Sequence, residues 1–196
     1  MSMQRLIVIP LLLFAGTVFA QDSCFFQQER AMRYELAYVE QCAKDKVVFQ
    51  NLLAYFYSTG HKVEKDYKQA LRWYQRAADG RYPAAMYNLG NLYYDGHGTK
   101  QDYKQAFFWY EKAAKAGDIQ GQHNLGYMYG KGLGVKKDPV LAYSWFYVGM
   151  KQGHKASFIN ANNLLESLGK KGFEEGVRYG NELYSLYAKK PLNNPL

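Results

Sequence analysis

Cysteine is scarce in this chain: Cys24 and Cys42 are the two in 196 residues. That excludes a disulfide-dense scaffold and a zinc site made of four cysteines. Proline is nearly as scarce, at five residues, which with 18 glycines excludes collagen-like and low-complexity chains. The four histidines, His61, His97, His123 and His154, form no His-Glu-x-x-His pair, and no Gly-x-Ser-x-Gly elbow occurs. Acidic residues are outnumbered 17 to 25, so the formal charge is +8. No stretch alternates apolar and polar residues with period two, so strands are not expected. Beyond residue 20, no apolar run approaches the roughly 20 residues a membrane span needs.

Tyrosine is abundant. The 19 tyrosines are about three times ordinary usage, and aromatics make up 17% of the chain, so ring packing or ring-based recognition must matter. The N-terminus has its own pattern. Arg5 precedes the apolar run Leu6 to Phe14, and Val18-Phe19-Ala20 then gives a small-x-small end before polar Gln21-Asp22. This is the tripartite form of a secretory signal, predicting cleavage near Ala20 and a mature chain starting at Gln21. Removing Arg5 leaves 24 basic and 17 acidic side chains, a charge of +7. The product is expected to be periplasmic or secreted, with no stable membrane anchor. In an oxidising compartment Cys24 and Cys42 can form one bridge, remain two thiols, or link separate chains. On one continuous helix they would stand about 27 Å apart. A bridge needs Cα atoms within about 7 Å, so it requires the chain to turn between them.

The rest of the chain repeats with a period of 36. Asp66-Tyr67-Lys68-Gln69-Ala70 returns as Asp102-Tyr103-Lys104-Gln105-Ala106, and Asn88-Leu89-Gly90 returns as Asn124-Leu125-Gly126. Trp73, Trp109 and Trp145 keep the same step, as do Asp66, Asp102, Asp138 and Glu174. A repeat of this length signals a solenoid or a propeller. Spacing within the unit decides between them. Ala85, Met86, Leu89, Gly90, Leu92 and Tyr93 fall at helical intervals after Pro83, and Asp95-Gly96-His97-Gly98 breaks the pattern. A second helix starts after Asp102 and ends by Gly117. The predicted helices cover 26–43, then pairs at 47–58 with 67–79, 83–94 with 103–116, 119–129 with 139–152, and 155–168 with 173–188. The organisation read from this is a signal at 1–20, an extension with a capping helix at 21–46, a solenoid at 47–188 and a frayed tail at 189–196.

The run Ala113-Ala114-Lys115-Ala116-Gly117-Asp118, followed by Asn124-Leu125-Gly126-Tyr127-Met128-Tyr129, Gly132-Leu133-Gly134 and then Ala142 and Trp145, resembles the Sel1-like repeat. This is a tetratricopeptide-like unit with a longer inter-helix loop. The resemblance spans about 47–188, is strongest in the two middle units, and departs at Ala54 and Asn162, where the helix glycine is replaced. It implies an all-α, right-handed α-solenoid of about four units. It also implies binding in a concave groove lined by the first helices, an expectation of adaptor work rather than catalysis.

Within each first helix, the positions rotated away from the core form a row. Asn51, Tyr55, Tyr87, Asn91, Tyr94, His123, Tyr127 and Asn163 are the candidate partner-binding residues, with Ser58, Ala84, Gly130, Ile159 and Glu166 completing it. Tyrosine suits such a surface because it offers a rigid ring and a hydroxyl. Chemistry is not indicated. His61 and His97 occupy matching loop positions about 10 Å apart and read as polar loop residues rather than metal ligands. Gly130-Lys131-Gly132-Leu133-Gly134 follows a helix, not a strand, so it does not read as a phosphate loop. No catalytic residue, metal or cofactor is expected. The expected partner is a protein or peptide, acidic where it meets the lysines of the loop edge, and not nucleic acid; the chain itself is expected to be a monomer. A periplasmic immunity protein against a secreted toxin and a cell-wall-binding module are the alternatives.

Overall fold

A computed structural model describes residues 36–188, and these are helical apart from short connections, with no strand among the described residues. The signal-like segment, Cys24 and the tail at 189–196 lie outside the described residues, as does the start of the helix expected over 26–43. Its described part is α1, Leu36–Cys42. Six helices of 13 residues each follow: α2 (Val47–Thr59), α3 (Tyr67–Asp79), α4 (Pro83–Asp95), α5 (Tyr103–Lys115), α6 (Ile119–Lys131) and α7 (Pro139–Lys151). The last is α8 (Lys155–Leu183), followed by one π-helical turn, Tyr184–Ala188. The helices pack chiefly on their sequence neighbours, as a solenoid requires.

The same local chemistry sets the ends of the helices in each unit. Asp66, Asp102 and Asp138 are extended N-caps whose carboxylates accept backbone N–H groups of the first turns of α3, α5 and α7. Each such cap contributes about 1 kcal/mol. The caps are held in place by one bond per loop: Asp66, Asp102 and Asp138 N–H donate to the Tyr57, Tyr93 and Tyr129 carbonyls, each at 2.9 Å. At the other end of each loop, Gly60, Gly96 and Gly132 close α2, α4 and α6 in the left-handed conformation.

Two further loop positions need a positive φ, and the sequence treats them differently. Gly98 and Gly134 lie so near the preceding unit that a Cβ there would collide with the Tyr67 and Tyr103 carbonyls. One period earlier the residue is Lys62, at φ 64, in the unit with no earlier repeat to press against it. The turn between units needs only the dihedral. Gly117 (φ 90) and Gly153 (φ 82) supply it with glycine, while Arg81 (φ 62) adopts it as an ordinary residue.

Packing inside a unit brings two helices together through a glycine. A Cβ on Gly90 would lie 2.6 Å from the Tyr110 ring, and one on Gly126 would lie 2.9 Å from the Phe146 ring. The helix-interior glycine costs about 1 kcal/mol against alanine, and the close approach of a large ring offsets it. The first unit has buried Ala54 at this position, opposite Tyr74. Leu53, Leu89 and Leu125, at most 1% exposed, fill the layer beneath, and Ala70, Ala106 and Ala142 keep the second helices thin. Trp109 and Trp145 are buried, whereas Trp73 is half-buried.

The last pair differs from expectation. A connection was expected at 169–172, but one residue suffices: Gly169, with φ 61 and ψ 179. Before it, Ser157 faces Gly149, and Leu164 and Leu168 pack on the Ala142–Phe146 cluster. After it, Gly176 faces Tyr143 and Gly180 faces Tyr147. Thus 155–168 runs against α7 and 170–183 runs with it, and the chain reverses at Gly169. The seven-residue loop of the earlier units is absent here.

Backbone strain at the two non-glycine positions makes a direct prediction. Lys62→Gly and Arg81→Gly should each stabilise the protein, by about 0.5–1 kcal/mol in urea unfolding. Gly134→Ala should destabilise it by more than that, since it adds a collision to the strain. Loss of stability in Lys62→Gly would show that the lysine side chain holds the loop and is not strained by it.

Candidate functional site

The first helices α2, α4, α6 and the 155–168 arm of α8 carry the candidate row. Two cavities open there. The smaller, about 330 Å³, is lined by Asn91, Tyr94, Asp95, Tyr110, His123, Asn124, Tyr127 and Met128, between α4 and α6. The larger, about 600 Å³, lies between α6 and α8 and includes Tyr127, Lys131, Lys137, Phe146, Asn160, Asn163 and Leu164. Tyr127 belongs to both, so the cavities are neighbours across one exposed ring. Five of the eight candidates, Asn91, Tyr94, His123, Tyr127 and Asn163, therefore border two adjoining depressions. Asn51, Tyr55 and Tyr87 border neither.

Several of these side chains already have work within the fold. The buried Tyr110 hydroxyl donates to Asn91 Oδ1 at 2.6 Å, and Asn124 Nδ2 approaches the same oxygen at 3.5 Å. Asn88 Nδ2 donates to Asn51 Oδ1 at 3.3 Å across α2 and α4. Tyr87 tilts against the Tyr110 ring with centroids 6.0 Å apart. Tyr94 meets Tyr103 edge-on, and burial first, then its hydrogen bond with Tyr127, pushes its hydroxyl up to about 12. Tyr55, Tyr127 and Asn163 remain exposed. The row thus splits into a part that ties neighbouring units together and a part that faces solvent. Asn88, Asn124 and Asn160, one period apart, were not among the candidates, although that spacing is the signal that finds them.

His123 sits in a compact polar knot at the junction of the third unit and the last. Its Nδ1 lies 3.1 Å from the fully buried Ser157 Oγ, and His154 Nδ1 lies 2.8 Å from the same oxygen. Ser157 N–H donates to His154 Nδ1 at 3.3 Å, so that nitrogen is an acceptor. The Ser157 hydroxyl thus stands between the two rings, within hydrogen-bond reach of both Nδ1 atoms. Beside them Gln152 Nε2 donates to Gln122 Oε1 at 2.6 Å. Burial, and then the proximity of His154, lower His123 from 6.5 to about 4. The knot includes no carboxylate that could orient a histidine for nucleophilic catalysis, and its serine is closed to solvent. His61 and His97 stand apart from it. His97 stacks flat on Tyr67, with centroids 4.3 Å apart, and His61 lies against Phe56. Among the described residues no group of three or more His, Cys, Asp or Glu could hold a metal ion, and no helix is long and apolar enough to cross a membrane.

Stacked helix–loop–helix units with recurring aspartate caps define an α-solenoid repeat protein. The chain belongs to the Sel1 repeat family: the family model matches residues 47–82, 83–118 and 119–154, three consecutive units that begin where α2, α4 and α6 begin. Proteins of this family generally mediate protein–protein interaction, and their solenoid is typically a non-catalytic scaffold. The fold is similar to a protective antigen of uropathogenic Escherichia coli strains, with a TM-score of 0.74 and 29% identity. That match covers 82% of this chain and 34% of the other, so this chain spans about a third of that relative's length. A Sel1 repeat protein from Oxalobacter formigenes is 36% identical, with a TM-score of 0.60, over 65% of this chain and 97% of that one. Helicobacter pylori cysteine-rich protein B, 23% identical over 72% of this chain and 96% of that one with a TM-score of 0.50, shares the fold alone. No curated protein matches the chain in sequence.

The buried histidine gives this junction a pH dependence. A histidine with a lowered folded pKa contributes its stability in full above its unfolded pKa of about 6.5, and loses it as the pH falls toward 4. In that window the unfolded chain takes a proton that folded His123 refuses. The melting temperature should therefore fall between pH 6.5 and 4, and fall less steeply in His123→Gln. Equal slopes in the two proteins would show that other groups set the acid sensitivity. Asp118 contributes in the opposite direction, because burial raises its carboxyl and makes the neutral form the better folded species.

Proposed function

We propose that this protein is an exported, non-catalytic scaffold that holds a peptide or protein segment along the face of its first helices. What carries the reading is the pair of adjoining cavities that meet at the exposed Tyr127, together about as large as a small-molecule or short-peptide site. The contact set is Asn51, Tyr55, Tyr87, Asn91, Tyr94, His123, Tyr127 and Asn163. Tyr55, Tyr127 and Asn163 act directly. Asn51, Asn91 and His123, whose polar atoms bond neighbouring units, fix the spacing of the face instead. The partner is acidic where it meets the lysines at the loop end, and the scaffold acts as a monomer. Export is supported by the signal-like residues 1–20, and a single bridge from Cys24 to the buried Cys42 would tie the extension to α1.

The test uses the exposed residues, because replacing Asn91 or Tyr87 would disturb Tyr110 and the core. Tyr55→Ala/Tyr127→Ala/Asn163→Ala should keep the wild-type circular dichroism spectrum and lose the partner captured by the mature protein from envelope extract. Retention of every partner by the folded variant would overturn the groove reading. Mature protein from the periplasmic fraction should begin at Gln21 and show no free thiol until it is reduced. An N-terminus that retains residues 1–20 would remove export from the proposal.

A further inference from the structure

The larger cavity has a charge that the fold does not balance. Its lining contains two lysines, Lys131 at the end of α6 and Lys137 just before α7, and no aspartate or glutamate. Neither lysine has an ion-pair partner among the described residues, whose pairs are His97–Asp95, Lys115–Glu111 and Arg178–Glu175. The nearest carboxylate in sequence, Asp138, accepts the Leu141 N–H at 2.9 Å as the α7 cap; it lines a neighbouring depression that Lys137 also borders, and makes no ion pair with that lysine among the described residues. Glu166, on the flanking arm of α8, is exposed and outside the lining. Two cations at one end of a 600 Å³ cavity without a counter-charge favour an anionic ligand.

The rest of the lining narrows the chemistry. Phe146 and Leu164 give the cavity an apolar floor. Asn160 and Asn163 stand along its α8 wall, and each amide offers a donor and an acceptor, the complement of a peptide unit. Tyr127 borders this cavity and the smaller depression, and the Lys131 ammonium lies over its ring, 5.9 Å from the centroid.

We propose that this cavity binds an extended internal segment of an acidic protein. A carboxylate side chain sits between Lys131 and Lys137, and an apolar side chain next to it rests on Phe146 and Leu164. The proposal rests on the reading of the first-helix face as a peptide groove, and specifies where on that face the charge is recognised. An internal segment is favoured over a chain terminus because Tyr127 borders both cavities, so one extended stretch laid across its ring can occupy them together.

The probe is an acetylated, amidated eight-residue peptide of alternating glutamate and leucine, labelled for fluorescence anisotropy. Its counterpart has glutamine in place of glutamate, and a third peptide of alternating glutamine and leucine has a free C-terminal carboxylate. The proteins are the mature wild type, Lys131→Gln/Lys137→Gln, and Lys100→Gln/Lys104→Gln as a control that removes the same charge outside the cavity. The glutamate peptide should bind the wild type at least tenfold more tightly than the glutamine peptide, and binding should weaken in 0.5 M salt. Lys131→Gln/Lys137→Gln should lose at least tenfold, and the control less than threefold. Equal loss in both variants would mean diffuse attraction to a basic surface, and would overturn the proposal. So would equal binding of the two capped peptides, or preference for the peptide with the free terminus. If Lys131→Gln/Lys137→Gln binds normally while the tyrosine variant above still loses its protein partner, the groove reading stands and this proposal alone fails.

Discussion

The structure depends on the contact of an aromatic ring with a residue that has little or no side chain. Tyr110 and Phe146 lie against the first helix of their own unit at Gly90 and Gly126, and Tyr74 shares a core cluster with Ala54 at the matching position. That contact sets how near the two helices of a unit stand, and so the depth of the layer filled by Leu53, Leu89 and Leu125. It also reaches the surface. Tyr110 lies over Gly90 and passes its hydroxyl to Asn91, so the ring that packs the interior also orients a polar side chain on the candidate face. A small residue in the core and an amide in the groove are two ends of one arrangement.

Much of the fold was legible in the sequence, because the 36-residue step repeats the physical requirement as well as the letters. Each aspartate before a second helix reads as a cap, each glycine after a first helix as a left-handed end, and the helix limits fall within a residue or two of those expected. The miss lies where the repeat ends. Nothing in Leu168-Gly169-Lys170 distinguishes a one-residue reversal from a longer connection, since a Cβ on Gly169 would meet nothing within 4 Å and only its dihedral matters. Lys62 and Arg81 were equally silent. A residue at positive φ without glycine carries no composition signal, and only alignment with Gly98 and Gly117 reveals it.

The candidate face was legible as a row but not as a division of labour. Helical rotation picked one side of each first helix, because the buried positions on the same helix fix the opposite face. It could not show that Asn51, Asn91 and His123 would spend their polar atoms on neighbouring units. Those bonds join residues 33 to 37 apart in sequence, or 19 apart for Tyr110, and depend on the stagger between units. The lysines at the loop end were visible as charge. Their place on the wall of a cavity depends on the last hairpin, expected as 155–168 with 173–188, lying against α7.

The near-neighbour packing of these helices has a mechanical consequence. A stack whose members touch chiefly the next in line behaves as a row of coupled switches, each held shut by its neighbours, and the end members open first. The hairpin closed at Gly169 is such an end member, and the larger cavity lies across the joint between it and the unit before it. Anything lodged in that joint fastens the last hairpin to the unit before it. Occupancy there would be felt as resistance to fraying along the whole array, so this solenoid could report a bound guest through its stiffness without any change of shape.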